Sequence, residues 1–368
     1  MKRKELIKNT RRVVIKVGTR VITNEDGTLN DKQIHHLAAQ VAGLKEKGLQ
    51  VIIVSSGAIG AGMAVLGLNK KPCDISGLQA CAAVGQGRLI ENYTRAFSKR
   101  GYVTAQILLT AEDLRQRARF LNARNTVFKL LNEGIIPVVN ENDTVAIDEI
   151  KFGDNDRLSA LVTNLAQADL LIILSDIPGL YDKEGKVISR VAKITREIED
   201  LCVGTGSLLG TGGMVTKLEA ARIVTRSGEG IIIANGRQRN ILKTIFKPEI
   251  EGTFFDPHTE KLAARKRWLA FFTQPRGELV VDKGAREALT DKGKSLLARG
   301  IVAIDGNFQA GDAVDIVVKG GKKIACGLVN YNSEELARIK GVNTASIYRI
   351  LGYKKSDEII HRNNMFIV

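Results

Sequence analysis

The stretch that decides the fold is VIIVSSGAIGAG, at residues 51–62. Residues 51–54 form a continuous apolar run, which is typical of a strand buried on both faces of a parallel sheet. Two hydroxyl residues and three glycines follow the run and lead into a helical stretch. A strand, a glycine turn and a helix in this order indicate a layered α/β domain.

Similar units flank this stretch on both sides. Apolar runs recur at 13–17, 103–109, 135–139, 170–174 and 231–234. Amphipathic patterns between the runs predict helices over 31–47, over 154–167 and from 214 to 228, and Gly48 stands where a helix C-cap belongs. We therefore predict an α/β fold with an open, mostly parallel sheet sandwiched by helices.

The pattern changes beyond residue 245. The segment 245–276 is predicted to be a return segment followed by a linker, because its stretch KPEIEGTFFDPHTEKLAARKRW contains two prolines and a basic cluster. From residue 277 the segments GELVVDKGA, GIVAIDG, AVDIVVKGGKKIACGLVNY and SIYRIL predict short strands, with a helix at 284–297 and a hairpin turn at KGGKK. The predicted domains are a large α/β domain at 1–260, a linker at 261–276 and a small β-rich domain at 277–368.

Composition narrows the class of protein. The chain has 368 residues, a formal charge of +15 and four scattered cysteines, and its histidines lack metal-ligand spacing, which argues against a zinc site or a disulfide framework. No apolar run approaches the ~20 residues of a membrane span, so we expect a cytoplasmic protein. The charge allows anionic partners, including nucleotides and RNA, without choosing among them.

Candidate chemistry lies just after the predicted strands, because ligands of open α/β sheets bind beyond the carboxyl ends of the strands. Lys16 and Gly18 follow the first strand, SSGAIGAG the second, and NENDTV (140–145) the run at 135–139. Each site also has a purely structural alternative. Lys16 could be a surface lysine, SSGAIGAG a tightly packed turn, and NENDTV a solvated polar turn.

Three further motifs complete the set. GDND (153–156) opens a helix, where Asp154 or Asn155 could serve as N-cap, and SDIPGLYD (175–182) contains a Pro-Gly turn. GTGSLLGTGGMVTK (204–217) places glycines, Thr216 and Lys217 at the start of a helix, an arrangement that is suited to bind phosphates. The structural alternative for this segment is a flexible surface loop. Neither the GxxxxGK[ST] loop nor the GxGxxG dinucleotide fingerprint is present.

Together these motifs indicate phosphoryl transfer. Two lysines, several glycine turns and several acids or amides share one predicted sheet edge, without a cysteine or histidine nucleophile among them. Phosphoryl transfer needs positioning and charge neutralisation more than covalent chemistry from the protein.

In this order, KVGTR, SSGAIGAG, NENDTV, FGDND, SDIPGLYD and GTGGMVTK resemble the amino acid kinase superfamily. The resemblance is strongest to members that phosphorylate the γ-carboxylate of L-glutamate with ATP, the first step of proline biosynthesis. Residues 277–355 resemble a PUA domain through RGELVVDKGAREAL, KSLLARGI and GLVNYNSEEL. Arg20 departs from the family, which often has a small hydroxyl residue there.

The resemblance implies roles by motif position. Lys16 and Lys217 would bind phosphate oxygens and stabilise the transferred charge, and Asp156 would hold both lysines. The residues implied to bind glutamate are Ser56, Asp143 and Asn155, with Asp143 facing the ammonium group. The residues implied to bind ATP are Lys16, Ser175, Asp176, Thr211, Gly212, Gly213, Met214, Val215, Thr216 and Lys217. No metal ligand is assigned, although the family requires Mg²⁺.

The implied partners are L-glutamate, ATP, proline as a feedback inhibitor and further copies of the chain in a dimer or tetramer. Other acceptors of the superfamily, namely other carboxylates, carbamate and nucleoside monophosphates, remain the nearest alternatives. RNA binding by the PUA-like segment is an alternative of another class. Residues 277–368 hold 14 Lys and Arg against 11 Asp and Glu, so their net charge of +3 does not favour a strongly basic RNA face.

Overall fold

The computed structural model of the chain describes residues 3–146, 155–203, 212–247, 251–258, 269 and 274–368. The chain divides into two compact units, Met1–Lys261 and Leu262–Val368. An eight-stranded sheet forms the centre of the first unit. Its strands are β1 Arg12–Val17, β2 Gln50–Ser55, β3 Thr104–Leu109, β4 Ile136–Glu141, β5 Leu170–Ser175, β6 Arg190–Val191, β7 Gly230–Asn235 and β8 Thr253–Phe255.

The strand order β3-β4-β2-β1-β5-β7-β8-β6 places β1 near the centre of the sheet. The six longer strands pair in parallel, and β8 runs antiparallel to β7. The chain leaves β1 toward β2 on one side and reaches β5 on the other. This reversal creates a crevice at the carboxyl end of β1, which is where ligands bind in open α/β sheets.

Helices cover both faces of this sheet. They are α1 Arg3–Asn9, α2 Thr19–Ile22, α3 Asp31–Lys45, α4 Ala58–Val65, α5 Ile75–Ser98, α6 Ala111–Arg115, α7 Arg117–Asn132, α8 Asp156–Leu165, α9 Arg196–Val203, α10 Gly212–Arg226 and α11 Ile241–Ile245. Val13 and Ile15 pack in one core with α3, α5 and α11. Val14 points to the opposite face and is equally inaccessible to solvent, so β1 is buried on both faces.

Close packing of α4 against α5 fixes the turn that follows β2. A Cβ atom at Gly62 would overlap the carbonyl of Cys81, and one at Gly85 would overlap the carbonyl of Ala58. Only glycine allows the two helix backbones to approach this closely. Gly57, at the N-cap of α4, has φ +103, a left-handed conformation that also favours glycine.

The predicted fold class is confirmed. All six predicted strands are present, and the helix predicted over 31–47 ends at Lys45, with Gly48 at φ +84 beyond it. α8 falls within the helix predicted over 154–167, of which residue 154 lies outside the described residues. The short strands β6 and β8 were not predicted, because two or three residues carry no periodicity.

The second unit contains a five-stranded sheet of order β10-β9-β11-β12-β13. Its strands are β9 Gly277–Val281, β10 Ile301–Gly306, β11 Ala313–Val318, β12 Lys323–Leu328 and β13 Met365–Ile367, and its helices are α12 Lys283–Thr290, α13 Ser333–Ile339 and α14 Ile347–Leu351. Gly320 and Gly321 both adopt positive φ in the hairpin turn between β11 and β12. The predicted turn at KGGKK is therefore confirmed.

Two local predictions in this unit are wrong. SIYRIL does not form a strand, since Ile347–Leu351 is helix α14. Ile347, Ile350 and Leu351 face the core at the i, i+3, i+4 spacing of a helix, and Gly352 ends the helix at φ +81. The helix predicted over 284–297 ends at Thr290, shortly before Gly293 adopts φ +57.

Within the described part of the chain, no helix has both the length and the apolar character to cross a membrane.

Candidate active site

The carboxyl ends of the central strands bring polar side chains to one edge of the sheet. Lys16 lies in β1 beside Val54 of β2 and Ile173 of β5. Asn140 ends β4 together with the neighbouring Glu141, and Ser175 ends β5. The sheet thus places polar residues from three motifs around the crevice at the end of β1.

Lys16 and Lys217 converge on one carboxylate although they lie far apart in the chain. The Nζ atom of Lys16 is 2.7 Å from Oδ1 of Asp156, and that of Lys217 is 3.0 Å from Oδ2. The side chains are 4% and 7% exposed for the lysines and 0% for Asp156. We call these three residues the lysine cluster.

The first turns of two helices hold this cluster in place. Asp156 begins α8, where the helix dipole stabilises a carboxylate. On α10, Lys217 Nζ donates to the carbonyl of Gly213 at 2.9 Å, and the Thr216 hydroxyl donates to Asp156 Oδ2 at 3.1 Å. The glycine-rich start of α10 therefore acts on Asp156 through both Thr216 and Lys217.

The lysine cluster carries two positive charges and one negative charge in a buried place. Burial of charge is costly unless opposite charges and hydrogen bonds compensate it. The two ammonium groups share the Asp156 carboxylate, and all three side chains lie in a region of low dielectric constant. Such a centre is suited to bind an anion and to stabilise negative charge that develops during a reaction.

A cavity of about 250 Å³ opens beside the lysine cluster. By the volume of liquid water, it has room for on the order of eight water molecules, which is enough for an amino acid. Its lining comes from the start of α4, the end of β4 and the start of α8, and includes Ser56, Asn140, Glu141, Asp143 and Asn155. We call this the acceptor cavity.

Asn155 joins the acceptor cavity to the strand ends. Its Nδ2 group donates to the carbonyl of Ser55 at 2.7 Å and to Oδ1 of Asn140 at 2.6 Å. Asn140 in turn donates to Gln86 on α5 at 2.7 Å. Asn155 occupies the N-cap position of α8 but makes no capping hydrogen bond with its side chain to the described backbone, so the N-cap interpretation does not account for this residue.

Two groups in the cavity are poorly solvated. The Ser56 hydroxyl is buried and has no hydrogen-bond partner among the described residues. Burial raises the pKa of Asp143 to about 6, because a desolvated carboxylate loses the stabilisation that water gives its charge. Both groups would gain from a polar or cationic ligand.

A second polar pair follows β5. The Ser175 hydroxyl contacts Oδ1 of Asp176 at 3.1 Å, and Nη1 of Arg20 contacts Oδ2 at 2.8 Å. Burial alone would raise the pKa of Asp176, but the hydrogen bonds, led by that from Arg20, together with the Arg20 charge outweigh it, so the pKa lies below its usual value. Asp176 is therefore an ionised carboxylate at neutral pH.

Comparison with known proteins identifies the family. Residues 11–235 match the amino acid kinase family, and residues 277–351 match the PUA domain. The chain is 48% identical to a glutamate 5-kinase of Syntrophotalea carbinolica over 99% of both chains. It is 49% identical to a glutamate 5-kinase of Caldanaerobacter subterraneus, over 97% of this chain and 98% of that one. The chain belongs to the glutamate 5-kinase family.

The fold of this glutamate 5-kinase family member also has a solved counterpart. A carbamate kinase from Giardia lamblia bound to AMP-PNP superimposes with a TM-score of 0.50 at 17% identity, over 68% of this chain and 99% of that one. At this identity the likeness establishes a shared fold. The resemblance stated from the sequence motifs, both for the kinase part and for the PUA part, is confirmed.

The structure brings together most of the residues that the sequence assigned to the site of this family member. Lys16, Asp156, Thr216 and Lys217 meet in or beside the lysine cluster, Ser56, Asp143 and Asn155 line the acceptor cavity, and Ser175 and Asp176 follow β5. Gly212, Gly213, Met214 and Val215 form the first turn of α10, and Thr211 lies outside the described residues.

Some lining residues were not assigned from the sequence. Asn140 was noted as polar, but a single sequence does not show that its amide orients Asn155. Lys71, Arg157 and Thr19 line the acceptor cavity as well. Arg157 directly follows the GDND motif, and this position could have indicated its place in the site. Lys71 stands in a loop without any motif.

Proposed function

We propose that this chain transfers the γ-phosphoryl group of ATP to the γ-carboxylate of L-glutamate, giving γ-glutamyl 5-phosphate and ADP. The observation that carries the proposal is the convergence of Lys16 and Lys217 on Asp156 beside a cavity of amino-acid size. The names of the relatives, which are glutamate 5-kinases, supply the substrate. This reaction is the first step of proline biosynthesis.

The chemistry follows from charge. A γ-carboxylate is ionised at neutral pH, so it can attack the γ-phosphorus without a general base. The new carboxyl–phosphate bond forms as the bond to the β-phosphate oxygen breaks, and ADP leaves with that electron pair. Lys16 and Lys217 neutralise the oxygens of the transferred group, while Asp156 keeps both ammonium groups directed to one point.

The acceptor cavity would orient glutamate. The Asp143 carboxylate pairs with the substrate ammonium group. The Ser56 hydroxyl, which has no hydrogen-bond partner among the described residues, and the fixed amide of Asn155 bind the polar atoms of glutamate. On the nucleotide side, Ser175, Asp176 and the segment 211–217 are proposed to bind ATP. A glycine turn and a helix N-terminus together suit phosphates.

We propose that magnesium enters the site as a complex with ATP. No group of three His, Cys, Asp or Glu side chains able to hold a metal occurs in the part of the chain that the structure describes. Mg²⁺ commonly binds through substrate phosphates and water, which fits a Mg·ATP substrate.

The remaining expectations stand as proposals. We propose a catalytic domain at 1–260, a linker at 261–276 and a PUA-like domain at 277–368, a dimer or tetramer, inhibition by proline, and a cytoplasmic location. RNA stays the disfavoured partner, because residues 277–368 carry a net charge of only +3.

A coupled assay of ADP release tests the proposed function. Purified protein is given ATP and one acceptor at a time, with and without Mg²⁺: L-glutamate, L-aspartate, N-acetylglutamate, carbamate or UMP. We expect turnover with L-glutamate and Mg²⁺ only. Turnover with another acceptor and none with glutamate would show that the substrate assignment is wrong.

A further inference from the structure

Two arginines tie together the ends of three strands on the nucleotide side of the sheet. Arg237, after β7, donates from Nε to the carbonyl of Arg20 at 2.8 Å and from Nη2 to the carbonyl of Thr23 at 3.2 Å. Arg20 lies in α2, directly after β1, and donates from Nη1 to Asp176 after β5 at 2.8 Å. The backbone of Arg20 is therefore braced while its guanidinium holds a carboxylate on the neighbouring turn.

This ion pair contributes little to folding stability. The Arg20 side chain is 66% exposed and that of Asp176 is 36% exposed. Solvent-exposed ion pairs are weak, because water screens the charges and two side chains lose freedom. A braced arginine that adds little stability calls for a different explanation.

The pair lies next to the lysine cluster. A Cβ atom built on Gly18 would lie 3.8 Å from Nζ of Lys16 and 4.0 Å from Cα of Ser175. Gly18 thus separates the Lys16 ammonium group from the end of β5, and Asp176 is the next residue there. The acceptor cavity is lined mainly by residues of β4, α4 and α8, with Thr19 of α2, and neither Arg20 nor Asp176 is among its described lining residues.

An unpaired carboxylate at this place would harm nucleotide binding in two ways. Its negative charge would repel a polyphosphate that approaches Lys16, and its side chain would be free to turn away from the nucleotide. The guanidinium of Arg20 counters both, because it neutralises the charge and fixes the direction of the carboxylate through a charge-assisted hydrogen bond. The Ser175 hydroxyl restrains the other carboxylate oxygen.

We propose that Arg20 is a positioning residue for the nucleotide, which acts by holding and neutralising the Asp176 carboxylate. The inference rests on the proposed function, in which Ser175 and Asp176 face ATP. Asp176 supplies the oxygens that accept hydrogen bonds from the nucleoside, and Arg20 keeps them in place. Arg237 supports the arrangement from behind through the backbone of Arg20.

The test is a double-mutant cycle read by nucleotide affinity. The dissociation constant of the non-hydrolysable analogue AMP-PNP is measured by calorimetry for the wild type, Arg20→Ser, Arg20→Lys, Asp176→Asn and Arg20→Ser/Asp176→Asn. We expect Arg20→Ser to weaken binding about tenfold and Arg20→Lys to restore part of the loss, as is usual for directly coupled pairs. In the Asp176→Asn background, the same Arg20→Ser change should weaken binding less than about twofold, because its partner charge is gone.

Turnover gives a second readout. Arg20→Ser should raise the KM for ATP in parallel with the dissociation constant and leave kcat and the KM for glutamate within about twofold. The matched control is Arg88→Ser, which removes an arginine of similar exposure, 62%, from an ion pair with Glu91 on α5. This control should change neither nucleotide affinity nor the KM for ATP.

Each contrary result has a distinct meaning. Unchanged AMP-PNP affinity in Arg20→Ser would overturn the inference. An equal loss of affinity in the wild-type and Asp176→Asn backgrounds would also overturn it, because Arg20 would then contact the nucleotide directly. A wild type that binds AMP-PNP but does not phosphorylate glutamate would refute the proposed function, and the double-mutant cycle could still be interpreted. A wild type that binds no AMP-PNP would refute both.

Discussion

The lysine cluster and the acceptor cavity lie side by side but differ in how their polar groups are satisfied. In the cluster, both ammonium groups already contact Asp156 within 3.0 Å and are almost fully buried. In the cavity, the Ser56 hydroxyl has no partner among the described residues, and burial raises the pKa of Asp143 to about 6. The phosphate side is thus preorganised, whereas the acceptor side is completed by its ligand.

This contrast predicts different kinetic consequences in the two regions. Preorganised charge acts on the transition state, so a change in the lysine cluster should lower kcat. Polar groups that only the substrate satisfies contribute to binding, so a change in the acceptor cavity should raise the KM for glutamate.

The largest effect is expected for Lys217→Ala. We predict that kcat falls about 10³-fold, because one of two cations on the transferred group is lost. The melting temperature should change by only a few degrees, since Asp156 keeps its contact with Lys16. The control Lys129→Ala removes a lysine that is 76% exposed and paired with Glu133, and its kcat should equal that of the wild type. Unchanged turnover in Lys217→Ala would show that the lysine does not bind the transferred phosphate.

A smaller effect, with a defined pH dependence, is expected at Asp143. Pairing with the substrate ammonium group requires the ionised carboxylate, so kcat/KM for glutamate should fall about tenfold per pH unit below about pH 6. Asp143→Asn should raise the KM for glutamate about 10- to 100-fold at pH 7.5, leave ATP binding intact and abolish this pH dependence. Dividing the pH profile of kcat/KM of the wild type by that of Asp143→Asn removes the contribution that the titration of ATP makes to both profiles.

The effect of Asp143 on folding stability distinguishes the fall of kcat/KM at low pH from acid unfolding. The pKa of Asp143 is raised in the folded state, so ionisation above pH 6 is unfavourable for the fold, and protonation on acidification relieves that cost. Through this residue, a fall in pH therefore lowers glutamate binding without destabilising the protein. A flat wild-type-to-variant ratio between pH 5 and 7 would place the ammonium site elsewhere.

The smallest effect is expected at Ser56, where Ser55 is a matched neighbour. Ser56→Ala should raise the KM for glutamate about 3- to 10-fold and leave the free energy of unfolding unchanged, because its hydroxyl makes no hydrogen bond among the described residues. Ser55→Ala should lower the free energy of unfolding by about 1–2 kcal/mol, because it removes the bond at 3.0 Å to the buried Tyr93 hydroxyl. Equal stability losses in both variants would contradict this difference.

The parts of the molecule that were predicted from the sequence are those with a repeated local signal. The strands β2 and β5 contain continuous apolar runs, and the run in β1 is interrupted only by Lys16. Glycine or polar residues follow each run, so the strand ends could be predicted from one sequence. α14 was misjudged because six residues of SIYRIL carry too few turns to separate a helical from an extended period.

Contacts between residues that are distant in the sequence could not be predicted from the spacing of residues along the chain alone. Nothing in the sequence next to Asn140 indicates that it orients Asn155, and nothing next to Arg237 indicates that it braces Arg20, since both contacts depend on how separate strand ends meet. The placement of Lys16 and Lys217 was predictable only from the rule that ligands gather at the carboxyl ends of parallel strands.

A crystal structure with AMP-PNP, Mg²⁺ and L-glutamate tests the central claim most directly, through the distances from the two Nζ atoms of the lysine cluster to the terminal phosphate. We predict that both ammonium groups lie about 2.7–2.9 Å from oxygens of that phosphate, with the glutamate γ-carboxylate facing it from the acceptor cavity. A nucleotide whose terminal phosphate lies outside the reach of both lysines, with Lys16 and Lys217 still in contact with Asp156, would contradict this prediction.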